Sequence, residues 1–236
     1  MRWLLLHYQP TTLFALKSSL ATSTVGRTLI IPTPYAIKMA FVDAAFRAGK
    51  DDRLCRQLVE DLVGVEVRVR PGTDAVVTQT IQLVRQEAKQ KTTAEIYVRN
   101  VAYREIVYIS GSWSWALDVA GKGGLAEELL RLAPVIHYVG KRGSMVQYLG
   151  TEWTDELGPE FTVSMAEVFG SKMPPRSHIA VLDDFGSEAS FPWLNSFDPD
   201  SKPKLHKHRA FVHTLVPAGI ANSGPSFVHY SSGHGS

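Results

Sequence analysis

The stretch HYVGKRGSMVQYLG, residues 137–150, gathers the residue types best suited to holding an anion. Gly140 and Gly143 permit positive φ and close backbone approach, and successive N–H groups in such a turn can form an anion-binding concavity. Between the glycines, Lys141 and Arg142 add charge, the arginine with a fork matched to phosphate, and Ser144 closes the segment. The same residues equally suit an ordinary solvated turn between a helix and a strand. The spacing G-x-x-x-x-G-K-[ST] is absent here and at GKGG (121–124), which excludes a Walker-type nucleotide loop.

A second set mixes arginines with aromatics. Arg68, Arg70, Arg99 and Arg104 fall on strand-like runs near Tyr97, Tyr103, Tyr108, Trp113 and Trp115. Such a face can hold single-stranded RNA, because bases stack on rings while guanidinium groups meet phosphates. Cross-strand packing with the aromatics in the core is the competing reading, and for Trp113 or Trp115 taken singly it is the stronger one.

The histidines speak against metal chemistry. HKHRAFVH sets His206 and His208 on one strand face and His213 on the other if the strand is regular. No carboxylate stands at a useful spacing, and Lys204, Lys207 and Arg209 make the run basic, so no metal or other cofactor is expected. His7 and His137 have no nucleophile paired with them in sequence, and neither G-x-S-x-G nor H-E-x-x-H occurs.

These residues need elements to position them. Residues 2–8 read as a buried first strand, and 11–19 extend it or fold into a loop. Thr33 before Pro34 reads as an N-cap followed by proline at the first helical position, with a helix through Ile37, Ala40, Phe41, Ala44 and Ala45 to Gly49. A short helix at 52–62 carries Leu54, Leu58 and Leu62 on one stripe. VEVRVRP (65–71) alternates as a strand with Arg68 and Arg70 on its polar face. The polar stretch 72–93, with Lys89 and Lys91, reads either as a projecting hairpin or as a short helix.

Two strands at roughly 95–101 and 103–109 follow, then a run through Trp113 and Trp115. A second amphipathic helix in GGLAEELLRLAPVI is stopped by Pro134, and MVQYLG is a strand. After Thr151 eight prolines, among them Pro174, Pro175 and Pro199, break the chain into short pieces. Strand-like runs remain at HIAVLDDF, HRAFVHTLV and PSFVHYS, with Asp183–Asp184 read as a turn and SSGHGS as a frayed tail. The order to residue 150 predicts an α+β, split βαβ arrangement of the ferredoxin-like (RRM-like) kind over 1–150, followed by a small β-rich part over 151–236.

Composition bounds the function class. The 236 residues are 44% hydrophobic and 20% charged with a formal net charge of +2, so any basic surface is local. The single cysteine, Cys55, excludes an intrachain disulfide and a multi-cysteine zinc site. The N-terminal apolar run is interrupted at His7–Pro10, and no window approaches the ~20 apolar residues of a membrane helix. A cytoplasmic protein with no membrane partner is expected.

The combination of an N-terminal strand, IPTPYAIKMAFVDAAF, the YREIVYISGSW run and a helix ending in HYVGKRGSMVQ resembles the Cascade handle-capping subunit. This is the "Cas five" family of the CRISPR-associated RAMP superfamily. The resemblance covers roughly residues 1–150. It implies a non-catalytic RNA-binding subunit that holds the 5′ handle of the guide RNA and caps the row of backbone RAMP subunits. It also implies contact with the large Cascade subunit and, through the complex, with target DNA. By position it assigns RNA contacts to Tyr35 and Lys38 at the start of the first helix and to Gly140, Lys141, Arg142, Gly143 and Ser144 in the glycine loop. Arg27 is a weaker assignment, and 72–93 is the candidate thumb hairpin. Some members cut precursor RNA without metal; here Tyr35, His137 and Lys141 are the residues for it. Lys–Arg occupies the loop where a Lys–His pair would stand, and arginine is a poor general base. Binding is therefore the favoured expectation, cleavage the first alternative, and a protein-only scaffold the second.

Overall fold

A computed structural model describes residues 2–18, 25–92, 95–168, 176–195 and 200–233, with the backbone alone described at 25–26, 84, 86–92, 95–98 and 100. The side chains of Lys89, Lys91 and Tyr97, the prolines at 174, 175 and 199, and the last three residues of SSGHGS lie outside the described set.

Strand β1 (Trp3–Pro10) is followed by three short strands: β2 (Leu16–Lys17), β3 (Val25–Gly26) and β4 (Thr28–Leu29). Helix α1 (Pro34–Arg47) then starts where its cap dictates. Thr33 accepts a hydrogen bond from the Ala36 N–H at 3.2 Å, and Pro34 takes the first turn, where a missing N–H costs nothing. Helix α2 (Asp52–Leu62) is capped by Asp51. It turns Cys55, Leu58, Val59 and Leu62 inward; Leu58 and Leu62 thus keep to the expected stripe, while Leu54, 60% exposed, falls outside it and Cys55 takes its place.

Next come β5 (Val67–Arg70), β6 (Asp74–Thr92), β7 (Glu95–Ser110) and β8 (Trp113–Asp118). Residues 74–92 of the polar stretch are thus strand and not helix, and form one arm of a long antiparallel hairpin. The two strands expected at 95–101 and 103–109 are one continuous strand, because every residue of 97–110 stays in register with β6. Helix α3 (Gly123–Leu132) ends one residue before a 3-10 turn at Ala133–Val135 that contains Pro134, and β9 (Val146–Thr154) follows.

The C-terminal third holds β10 (Val163–Ser164), α4 (Met165–Val168), β11 (His178–Phe185), α5 (Phe191–Leu194), β12 (Arg209–Val216), β13 (Gly219–Gly224) and β14 (Phe227–Ser231). Asp183 and Asp184 lie within β11, paired with Phe211 and Ala210, and form no turn. His206 and His208 fall in a turn before β12, with His206 at φ +67, so the expected H-x-H strand face does not exist. His208 is buried, accepts the Lys204 N–H at 3.1 Å and stacks on Trp193 at 4.3 Å.

The architecture is α+β with mostly antiparallel sheets. One four-stranded sheet has the order β5-β8-β1-β9, every neighbour antiparallel. α1 and α2 connect β1 to β5, α3 connects β8 to β9, and the long hairpin is inserted between β5 and β8. A second sheet, β13-β14-β6-β7-β3, joins the hairpin's root to the last strands of the chain. A third, β10-β12-β11, packs β11 against α1. Among the described residues no helix is long and apolar enough to cross a membrane.

One core joins the layers. Leu4, Leu6 and Tyr8 of β1 and Trp113, Trp115 and Leu117 of β8 face the helices, which contribute Ile37, Phe41, Leu58 and Leu129. Burying each such aliphatic or Phe side chain contributes roughly 1.5–3 kcal/mol. The Trp113 and Trp115 indole N–H groups have no partner, which returns about 1–3 kcal/mol each. The same core takes in Leu182, Phe185 and Val216, so residues on both sides of position 150 share it.

Lys38 is the exception inside that core. It is 1% exposed, and its Nζ meets the Asp184 carboxylate at 2.6 Å. Burial pushes the lysine down and the aspartate up, while their mutual attraction opposes both shifts. Removing one partner strands a buried charge, so Lys38→Ala should lose about 3–5 kcal/mol in a denaturant titration. Lys38→Met combined with Asp184→Leu should recover most of that loss, because the pair as a whole carries its own desolvation cost.

Candidate nucleic-acid interface

The glycine loop is built as a tight turn pinned from outside. An isolated bridge joins Tyr138 to Met145, the Val139 N–H donates to the Ser144 carbonyl (3.1 Å), and the Ser144 N–H donates to the Lys141 carbonyl (3.0 Å). Gly140 at φ +74 and Gly143 at φ +96 take the left-handed positions the turn requires. Two threonines just past β1 hold it in place. Thr12 donates to the Gly143 carbonyl and accepts the Met145 N–H, both at 2.9 Å, and Thr11 donates to the Met145 carbonyl at 3.1 Å. Ser144 is buried, whereas Gly140, Lys141, Arg142 and Gly143 are exposed. Neither Lys141 nor Arg142 has a carboxylate partner among the described residues.

The loop packs beside the N-terminus of α1. Tyr35, Ala36 and Gly140 border two adjoining grooves. One, of about 470 Å³, runs past Tyr138, Arg142 and Arg209; the other, of about 250 Å³, runs past Lys17, Lys141 and Asp183. Arg209 lies 4.5 Å over the Tyr35 ring and is ion-paired with Asp183. Its buried Nε has no partner. Burial raises the Tyr35 hydroxyl against the pull of Arg209, so the phenol stays protonated and able to donate. Asp43, on the groove wall, is bound to Arg47 at 2.7 Å. The result is a cationic groove: Lys17, Lys141, Arg142 and Arg209, with the positive end of α1 opening beside them.

The expected site residues are thus partly brought together. Tyr35 and Gly140 line both grooves, Lys141 one and Arg142 the other, while Gly143 and Ser144 line neither. Lys38, one turn further along α1, faces the core and is committed to Asp184. Arg27 is exposed outside the groove linings; its carbonyl accepts the Ser18 N–H within the ribbon that carries Lys17. Of the acid–base candidates, His137 points its Nδ1 at Arg47 (2.8 Å), and His7 sits at Ser114 (2.8 Å), pushed down by burial and by Arg70. The mixed arginine–aromatic face is divided. Trp113 and Trp115 are core, and Arg68 is held by Glu66 and Glu167, while Tyr103, Tyr108 and Arg99 are exposed on the hairpin.

Sequence reasoning missed Lys17 as a groove residue and read Arg209 only as part of a basic run. The HKHR run did carry a signal for Arg209, but nothing local could reveal that β12 returns to α1.

The fold is shared with a CRISPR protein of known structure. The crystal structure of a CRISPR protein from Archaeoglobus fulgidus superposes with a TM-score of 0.50 at 12% identity, covering 99% of this chain and 92% of that one. A chain of a CRISPR RNA-guided surveillance complex aligns at 0.44 and 16% identity, over 95% of both chains. A chain from the cryo-EM structure of the Type III-B Cmr-β complex bound to cognate target RNA aligns at 0.40 and 9% identity, over 64% of this chain and 60% of that one. No protein-family model and no curated protein matches the sequence.

The surface character of the loop gives a stability test. Lys141→Ala with Arg142→Ala should stay within about 0.5 kcal/mol of wild type. Arg209→Ala should cost about 1–3 kcal/mol, because Asp183, 10% exposed, loses its partner. Urea unfolding of the three proteins checks the ranking.

Proposed function

We propose that this chain is a ferredoxin-like RAMP protein that acts in the cytoplasm as the non-catalytic, guide-RNA-binding cap of a Cascade-type surveillance complex. The observation that carries the reading is the cationic groove, in which the pinned glycine loop, Tyr35 and Arg209 meet at the start of α1. Its exposed Lys141 and Arg142, without carboxylate partners among the described residues, and its half-buried aromatic suit the phosphates and bases of single-stranded RNA. The sheet order β9-β1-β8-β5 with its two helical crossovers supports the ferredoxin-like assignment. The near full-length likeness to a CRISPR protein from Archaeoglobus fulgidus agrees with it.

In this reading Gly140, Lys141, Arg142 and Gly143, with Tyr35, hold the 5′ handle, and Arg27 borders the path; Ser144, expected as a contact, is buried with its N–H on the Lys141 carbonyl and shapes the turn instead. Arg209 and Lys17 join them. Lys38 serves by locking β11 and Arg209 against α1, not by touching RNA. The β6–β7 hairpin is the thumb. The partners are the guide RNA, the backbone subunits, the large subunit and, through the assembly, target DNA.

The test is incubation of the purified chain with labelled precursor repeat RNA in EDTA, resolved on native and denaturing gels. The expected result is a native shift with intact RNA. Cutting at one position would replace the binder with a metal-independent nuclease, for which Tyr35, His137 and Lys141 are the candidate groups. No shift would contradict the reading for the isolated chain.

A further inference from the structure

The larger groove is not cationic throughout. Among the described residues its only carboxylate is Asp43, about two turns along α1 from Tyr35. An acid on the wall weakens the attraction of the groove for a polyanion, so its place there calls for a partner other than phosphate. Between Tyr35 and Asp43 the same face of the helix turns Ala36, Met39 and Ala40 into the groove and gives it an apolar floor. At about 470 Å³ the space has the size of a small-molecule pocket.

The carboxylate is held in one orientation. Arg47 reaches it through Nε alone, at 2.7 Å to Oδ2. The terminal nitrogens of Arg47 go instead to the Val135 carbonyl (3.1 Å) and to His137 Nδ1 (2.8 Å). The Tyr138 hydroxyl feels the same carboxylate: burial and Asp43 push it up, and Arg142 pulls it down. That phenol therefore keeps its proton and can donate. The wall thus sets an acceptor, Asp43, near a donor, Tyr138, above an apolar floor that ends at the Tyr35 ring.

We infer that this pocket selects guanine: Asp43 accepts the N1–H and N2–H of one unpaired base of the bound RNA, and Tyr138 donates to its O6. This rests on the RNA-binding reading of the groove and names the base that the groove takes. A carboxylate receiving two parallel N–H bonds makes a bidentate, charge-assisted contact. Of the four bases only guanine offers two adjacent donors on its Watson–Crick edge. Cytosine and adenine carry a ring-nitrogen acceptor beside the amino group, and uracil flanks its single N–H with two carbonyls. Each of those three turns a lone pair toward the carboxylate, and a buried acceptor left facing a lone pair rejects the ligand. The base rests on Ala36, Met39 and Ala40 beside the Tyr35 ring, with its phosphate toward Arg209.

Fluorescence-anisotropy titration of the purified chain tests this with oligouridine RNAs that carry one central G, inosine, A or C, or none. The G oligonucleotide should bind on the order of tenfold to a hundredfold more tightly than plain oligouridine. Inosine, which lacks the N2 amino group, should lose most of that gain. Asp43→Asn pairs one acceptor with one amide donor, so it should lose the preference for G and favour A or C. Asp43→Ala should bind all five RNAs alike, at the affinity wild type shows for oligouridine. Equal affinity of wild type for all five overturns the guanine assignment and leaves the RNA-binding reading standing. A uniform loss in Asp43→Ala, oligouridine included, also overturns it and makes Asp43 a support of the groove. Failure of every RNA to bind defeats the inference together with the reading it rests on.

Discussion

The buried contact between Lys38 and Asp184 is the constraint on which the rest depends. It fixes β11 against α1, and through the β11–β12 pairing it fixes Arg209 above Tyr35. A charged pair is a costly way to join two layers, since each ion must leave water. Its use here is geometric: only one register of β11 brings Asp184 to Lys38 and Asp183 to Arg209. Adjacent aspartates on one strand thus serve two different cations, one buried in the core and one lining the groove.

The groove is assembled from four distant parts of the chain. Thr11 and Thr12 after β1 pin the glycine loop, the ribbon carrying Lys17 flanks it, α1 supplies Tyr35 and its positive end, and β12 supplies Arg209. None of the four forms a concavity alone. Their convergence follows from the four-stranded sheet, where β1 lies beside β9 and so beside the loop that leads into it. The long hairpin leaves the same scaffold between β5 and β8, with its root stitched by β14.

Much of this was legible in the sequence where the physics is local. Thr33–Pro34 as cap and first turn follows from capping, the helix at 52–62 from its leucine spacing, and the strand-like runs HIAVLDDF and PSFVHYS from their apolar pattern. Residues 137–150 were visible as a glycine turn with two cations. What failed was whatever depends on partners far along the chain. Leu54 was placed inward because leucine spacing alone cannot tell which of two adjacent stripes meets α1. The break expected near residue 102 vanished because a long antiparallel partner holds the strand straight. Lys38 was assigned to RNA from its place at a helix start, yet its fate was decided by Asp184, nearly 150 residues away. Asp183–Asp184 looked like a turn because paired carboxylates are usually solvated, and here each has a cation waiting.

The central claim is that the groove neutralises phosphates, and the salt dependence of RNA affinity measures that most directly. Binding of single-stranded repeat RNA by the purified chain, followed between 50 and 300 mM salt as log Kd against log salt, gives a slope set by the phosphates engaged, about 0.7 for each in a single strand. Lys141→Ala with Arg142→Ala should weaken binding and reduce the slope by roughly 1.4, two contacts' worth. An unchanged slope and affinity in the folded double variant would contradict the account and return the glycine loop to an ordinary turn.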